Sequence, residues 1–159
     1  MVSLWKNGNV VCVTTNGFVK KSGEAVMGRG NALAMAQAIP ELPKLLGSFI
    51  KKYTNRVGFI YNRSDINFPV KPSSGNYDDL LPYIQKYKPT DIINIPGFWC
   101  KADPSIIEIS IDQLNDLITK FNLEKVYLPI PGVNNGQLKL EDIKPILKKA
   151  SSKVIYCSL

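Results

Sequence analysis

The chain of 159 residues contains no histidine and only three cysteines. Without an imidazole to take the proton, Ser-His and Cys-His nucleophile machinery is excluded. Any acid–base work falls to carboxylate, lysine, tyrosine or water. Cys12, Cys100 and Cys157 form no CxxC pair. With histidine also missing there is no zinc ligand set, and no metal is expected. Three scattered thiols make no disulfide framework; Cys12 and Cys157 lie in strand-like runs, where a free cysteine packs as a small apolar group. No apolar stretch approaches the ~18 residues of a membrane span. The opening residues MVSLWKNGN lack the apolar core of a signal peptide. These absences predict a cytoplasmic protein with no membrane partner. Gly-Lys-Ser/Thr occurs nowhere, which excludes a Walker P-loop.

What is present suits a folded enzyme or binding module. Hydrophobic residues make up 45% and charged residues 21%, enough for one domain over 1–159 with a real core. The net charge of +7 favours anionic partners: a nucleotide, a nucleic acid or an acidic protein. Lys20, Lys21, Lys51, Lys52, Lys148 and Lys149 carry much of it, without the interleaved aromatics of a single-strand binding groove.

Hydrophobic patterning predicts strands at 10–15, 57–61, 66–70, 91–95, 125–130 and 153–157, with 62–65 as a polar turn. It predicts helices at 30–38, 41–53, 77–87, 104–121 and 140–150. Pro40 ends the first of these, and Pro104 suits the first turn of the fourth. Strands alternating with helices make the fold α/β, with helices on both sides of one sheet.

The stretch VVCVTTNGFVKKSGEAVMGRGNAL, residues 10–33, organises the rest. Its β-branched start suits a central strand. The connection that follows is about three times the usual two to six residues, and connections that long are usually functional. Gly17, Gly23, Gly28 and Gly30 leave backbone N–H groups bare at a helix N-terminus, where an anion binds well. Gly28-Arg29-Gly30 is only half of a dinucleotide fingerprint, since a third glycine and a following acidic ribose reader are not evident. In the second loop Gly132 and Gly136 flank Val133, Asn134 and Asn135 between a strand and a helix. Main-chain N–H groups and asparagine amides there could hold a diphosphate. Both loops leave strand carboxyl ends, which places them in one crevice.

Five segments in order resemble the macrodomains: TTNG, GEAVMGRGNAL, FPVK, GFWCKADPS and LPIPGVNNGQLKLEDIKPIL. The subgroup they resemble is the ALC-like one, which includes terminal ADP-ribose–protein glycohydrolase and the DNA-directed antitoxin macrodomains. The resemblance implies a three-layer α/β/α fold with a mixed central sheet that binds ADP-ribose, as a monomer and without a cofactor. The ligand-binding residues it implies are Thr15, Asn16, Gly17, Met27, Gly28, Arg29, Gly30, Asn31 and Ala32 from the first loop. From the second come Pro131, Gly132, Val133, Asn134, Asn135 and Gly136. Adenine would lie near Thr15 to Phe18 and the last strand.

The implied chemistry is removal of ADP-ribose from acidic protein side chains or DNA bases, with Lys71 of FPVK at the distal ribose. A lysine in an apolar pocket can lose its proton and act as a nucleophile. Lys101, after a second apolar run, is its rival. The protein-glutamate hydrolase carries an aspartate in the second loop, and here that position is Gly136; Glu24 and Asp103 are replacement candidates. A non-enzymatic ADP-ribose reader and an ADP-ribose 1″-phosphate phosphatase are the alternatives.

Overall fold

The computed structural model describes residues 1–71 and 101–158. The predicted helix at 77–87, strand at 91–95, and Cys100 lie outside the described residues. Five strands form one sheet: β1 (Val10–Thr15), β2 (Gly58–Tyr61), β3 (Asp65–Pro69), β4 (Val126–Pro129) and β5 (Val154–Cys157), in the order β2-β3-β1-β4-β5. β3, β1, β4 and β5 run parallel, while β2 pairs antiparallel with β3, so the sheet is mixed.

Alternation along the strands sends side chains to two helical layers. Val11 and Val13 of β1 face α2 (Gly30–Ala38) and α3 (Leu42–Tyr53), packing with Met35, Leu42, Leu46 and Ile50. Cys12 points the other way. With Ile66, Phe68, Val126 and Leu128 it meets Ile107, Ile111 and Leu114 of α4 (Pro104–Lys120) and Ile143 of α5 (Leu140–Leu147). The result is a three-layer α/β/α sandwich. No helix among the described residues is long and apolar enough to cross a membrane.

Most elements lie within a residue of their predicted bounds, with three differences. α5 stops at Leu147, not 150: beyond it the bonds tighten to i→i−3, Lys149 N to Ile146 O at 3.0 Å and Ala150 N to Leu147 O at 3.2 Å. A short helix α1 (Val2–Lys6), unmarked by any amphipathic period, packs Val2, Leu4 and Trp5 onto the α2/α3 side. Asp65, read as part of a polar turn, instead begins β3 and is completely buried. The turn is closed by Ser64 N donating to Tyr61 O at 2.9 Å, with Asn62 and Arg63 at its centre both at positive φ (41° and 59°), as a type I′ turn needs.

Candidate functional site

Thr15 ends β1, Pro129 ends β4, Cys157 ends β5, and Val70 and Lys71 follow β3. Four adjacent parallel strands thus present their carboxyl ends on one side, where ligand crevices of α/β sheets form. A cleft of about 440 Å³ lies there, within the size range of small-molecule sites.

The first loop reaches this cleft indirectly. Residues 18–26 fold back on themselves as a small hairpin, with Lys20 N bonded to Glu24 O at 2.7 Å and Val26 N to Phe18 O at 2.8 Å. The hairpin is anchored on α3 by Ala25 N donating to Pro43 O at 2.7 Å. Gly47 allows this approach, because a Cβ there would stand 2.0 Å from Gly23 O. Gly28, Arg29, Gly30, Asn31 and Ala32 then return along the cleft wall. Arg29, at the N-cap of α2, gives no side-chain cap. The first N–H groups of that helix are thus without a side-chain acceptor from that position, an arrangement that suits an anion. Asn31, 3% exposed, donates from Nδ2 to Cys12 O at 2.8 Å, while its Oδ1 has no partner among the described residues.

The second loop is held from below. Gly132 has φ +77°, and a Cβ there would meet Ile107 and Leu138 at 2.7 Å. A 3₁₀ turn over Asn134–Gly136 follows, closed by Leu138 N donating to Gly132 O at 2.9 Å. The two loops meet across the cleft: a Cβ on Gly30 would stand 2.9 Å from Asn135 Nδ2. The backbone there has φ +59°, which favours glycine.

Of the residues singled out from the sequence, Thr15, Asn16, Gly28 to Ala32, Lys71 and Gly132 to Gly136 are brought together on the cleft wall. Gly17, Met27 and Pro131 are not part of the lining. Gly17 sits against Asn55, Met27 is packed with the α2/α3 core, and Pro131 is buried beneath the loop. Phe18 is buried too and lies off the wall. Thr14, Val26, Val70, Pro129, Ile130, Cys157 and Ser158 join the lining. Their signal was positional, since most sit at or just past the carboxyl end of a strand.

The two lysines part company here. Lys71 is 9% exposed and lines the cleft. Lys101 is exposed and does not line it, although Asp103 N bonds Val70 O at 3.0 Å and so returns the chain to the same rim. Neither candidate carboxylate lines the cleft. Glu24 pairs with Lys20 at 3.4 Å. Asp103 caps α4, where the Ser105 hydroxyl and backbone N–H hold its carboxyl below the usual range. Among the described lining residues Arg29 and Lys71 are cationic and none is acidic. The wall is thus built for an anion.

Three solved structures share this architecture. The macrodomain of Mycobacterium tuberculosis DarG superposes with a TM-score of 0.61 at 20% identity, covering 94% of this chain and 87% of that one. The macrodomain of Thermus aquaticus DarG gives 0.62 at 18% identity, with the same coverage. This is a macrodomain fold. Thermosipho africanus DarTG, solved in complex with ADP-ribose, matches at 0.62 and 16% identity over 95% of this chain, which spans 38% of that longer one. No family model matches the chain, and no curated protein does so by sequence.

At Gly136, the position to which the resemblance assigns the hydrolase aspartate, packing leaves little room for a side chain. A Cβ on Gly136 would stand 2.9 Å from Ala102 Cβ, and Ala102 N donates to Gly136 O at 2.8 Å, which fixes the two backbones together. Gly136→Asp is therefore expected to cost about 2 kcal/mol by overpacking. A thermal melt should show this as a fall of roughly 4–8 °C. The variant is expected to gain no release of ADP-ribose from glutamate. A stable variant with new glutamate-directed activity would refute the steric account.

Proposed function

We propose that this chain is a single ADP-ribose-binding macrodomain of the ALC-like kind, and an ADP-ribosyl hydrolase that cuts at the distal ribose. The observation that carries the reading is Lys71, buried in the wall of a cleft whose described lining holds glycine loops, amides and cations but no carboxylate. The two loops would bracket the diphosphate, with the N-terminus of α2 and the Asn134 and Asn135 amides as donors. The ADP-ribose of the DarTG complex supports the choice of ligand.

In the reaction Lys71 Nζ attacks the anomeric carbon of the distal ribose with its nitrogen lone pair, which requires the amine to have given up its proton. The bond to the protein carboxylate or the DNA base breaks with its electron pair, and the leaving group takes up a proton. Water then hydrolyses the sugar–lysine adduct and restores the amine. On this reading the protein acts as a cytoplasmic monomer.

The test is a release assay on glutamate-ADP-ribosylated protein and on ADP-ribosylated DNA, beside calorimetric titration with ADP-ribose. Release from either substrate supports the hydrolase and names its linkage. Binding without release selects a non-enzymatic reader, and release of phosphate from ADP-ribose 1″-phosphate selects the phosphatase.

DNA is favoured over protein by the surface next to the cleft. Lys20 and Lys21 of the hairpin and Lys51, Lys52 and Arg56 at and after the end of α3 are all exposed, and Lys51 Nζ is 3.4 Å from the Cβ position of Gly23 in the hairpin. If about three of these cations contact phosphates, affinity for ADP-ribosylated single-stranded DNA falls roughly tenfold to twentyfold between 50 and 200 mM salt. The double variant Lys51→Glu, Lys52→Glu should flatten that slope and leave free ADP-ribose binding unchanged. An unchanged slope would remove this surface from the reading.

A further inference from the structure

Asn55 lies just past the end of α3 and is not on the cleft wall, yet its side chain joins two segments that are. Its Nδ2 donates to the backbone oxygen of Lys71 at 3.3 Å. Its Oδ1 accepts from Asn67 Nδ2 at 3.4 Å. Asn67, completely buried in β3, also donates to Arg56 O at 2.8 Å and accepts from the Thr15 hydroxyl at 2.5 Å. A continuous polar chain thus runs from Thr15 at the end of β1, through Asn67 and Asn55, to the carbonyl of Lys71. The same Asn55 amide closes beneath Gly17, where a Cβ would stand 2.3 Å from its Nδ2. An amide suits this position because it donates on one side and accepts on the other; a carboxylate lacks the donor and an apolar side chain lacks both.

The backbone that presents Asn55 is strained. Thr54 has φ 66° and ψ −177°, a combination essentially reserved for glycine. Its side chain is exposed, so its own packing does not offset the strain. Such a conformation persists only where its surroundings over-determine it, and here the over-determining contacts are those of the next residue.

We infer that Asn55 is a positioning residue: it fixes the backbone of Lys71 relative to Thr15 and Gly17, and through it the reach of the amine towards the distal end of the ligand. The inference rests on the role proposed for Lys71. A misplacement of about 1 Å at a reacting group can cost a hundredfold in rate.

Two variants and two independent readouts test it. Asn55→Ala removes the amide; Thr54→Gly relieves the strain and frees Asn55 without touching it. The first readout is the rate of Lys71 acetylation by acetic anhydride, quantified by mass spectrometry with and without saturating ADP-ribose. The second is the split of kcat and KM for release. In the wild type ADP-ribose should protect Lys71. In Asn55→Ala that protection should fall at least threefold and kcat about tenfold, with KM and the ADP-ribose Kd within twofold of wild type. Thr54→Gly should melt at or above the wild-type temperature and still lose protection and kcat, to a smaller extent.

If the wild type releases no ADP-ribose but Lys71 protection still responds to both variants, the hydrolase reading fails and the positioning role stands. Unchanged protection in folded Asn55→Ala overturns the role. So does protection that falls only in step with melting temperature and Kd, and so does absence of protection in the wild type. Should Asn55→Ala not fold, Thr54→Gly decides alone.

Discussion

Lys71→Ala is expected to lower release of ADP-ribose at saturating substrate by about a thousandfold, a loss of ~4 kcal/mol of transition-state stabilisation. Binding of free ADP-ribose should change by less than about threefold. The asymmetry follows from what else lines the cleft. The contacts that would hold the diphosphate come from the backbone of Gly28 to Ala32 and Gly132 to Gly136, and from asparagine amides. None of these needs the Lys71 side chain. Lys71 instead follows β3 and is 9% exposed as a residue, and the described lining holds no carboxylate to stand in for its amine. A loss in kcat with KM unchanged is the signature of a group acting in the transition state alone. Lys101→Ala is the companion variant: exposed and off the cleft wall, it should turn over within twofold of wild type. If Lys71→Ala kept wild-type turnover on every ADP-ribosylated substrate, the role assigned to this lysine would be wrong.

The contrast between the two lysines shows where sequence reasoning reached and where it stopped. Both follow apolar runs, and nothing in local pattern says which one turns inward. That is settled by the pairing of β1 with β3, which sets Thr15 opposite Pro69 and carries the next two residues to the cleft. The central strand, the two glycine loops and the alternating order of elements were legible because each has a local cause: β-branching, bare backbone, or hydrophobic period. Met27 and Gly17 lie off the cleft wall, because the first loop is not a simple wrap. It contains a hairpin docked on α3, held by contacts to Pro43 and Gly47 that lie roughly twenty residues along the chain. Asn55 and Asn67 carried no signal at all. An asparagine after a helix and one inside a strand look like a turn residue and a poor strand former until the fold brings them within bonding distance.

Asp65 is the sharpest instance, and it sets the last prediction. By composition it belongs to the turn Asn62–Arg63–Ser64. In the fold it begins β3, fully buried, with Val11 of β1 on one side and Tyr61 of β2 on the other. Neither carboxyl oxygen has a hydrogen-bond partner among the described residues. Burial without compensation disfavours the charged form, and the carboxyl is pushed up to about 7 from an ordinary value of 3.8. Cys12 on the neighbouring strand is driven the same way, first by its own burial and then by Asp65, so its thiol stays protonated throughout the physiological range.

The sign of the consequence is fixed. Between about pH 4 and pH 7 the folded chain keeps the Asp65 proton and the unfolded chain has released it. Folding then binds a proton, and the stability contributed by this group falls as pH rises, by roughly 1.4 kcal/mol per pH unit. Over the whole interval the loss is on the order of 4 kcal/mol: the contribution to stability is fully present below pH 4 and the loss is complete above pH 7. Asp65→Asn cannot ionise, so its stability curve should lack this component. Subtracting urea-derived stabilities of the two proteins cancels the titration of every other group, including the opposing contribution of Asp103. The difference should favour wild type, or neither, at pH 4. It should swing towards Asp65→Asn by on the order of 4 kcal/mol between pH 4 and pH 8; the cost of burying an amide with poor partners offsets the difference equally at both ends and leaves the swing unchanged. Parallel curves across that range would mean that the Asp65 carboxyl ionises in place, and the account of an uncompensated buried acid would fall.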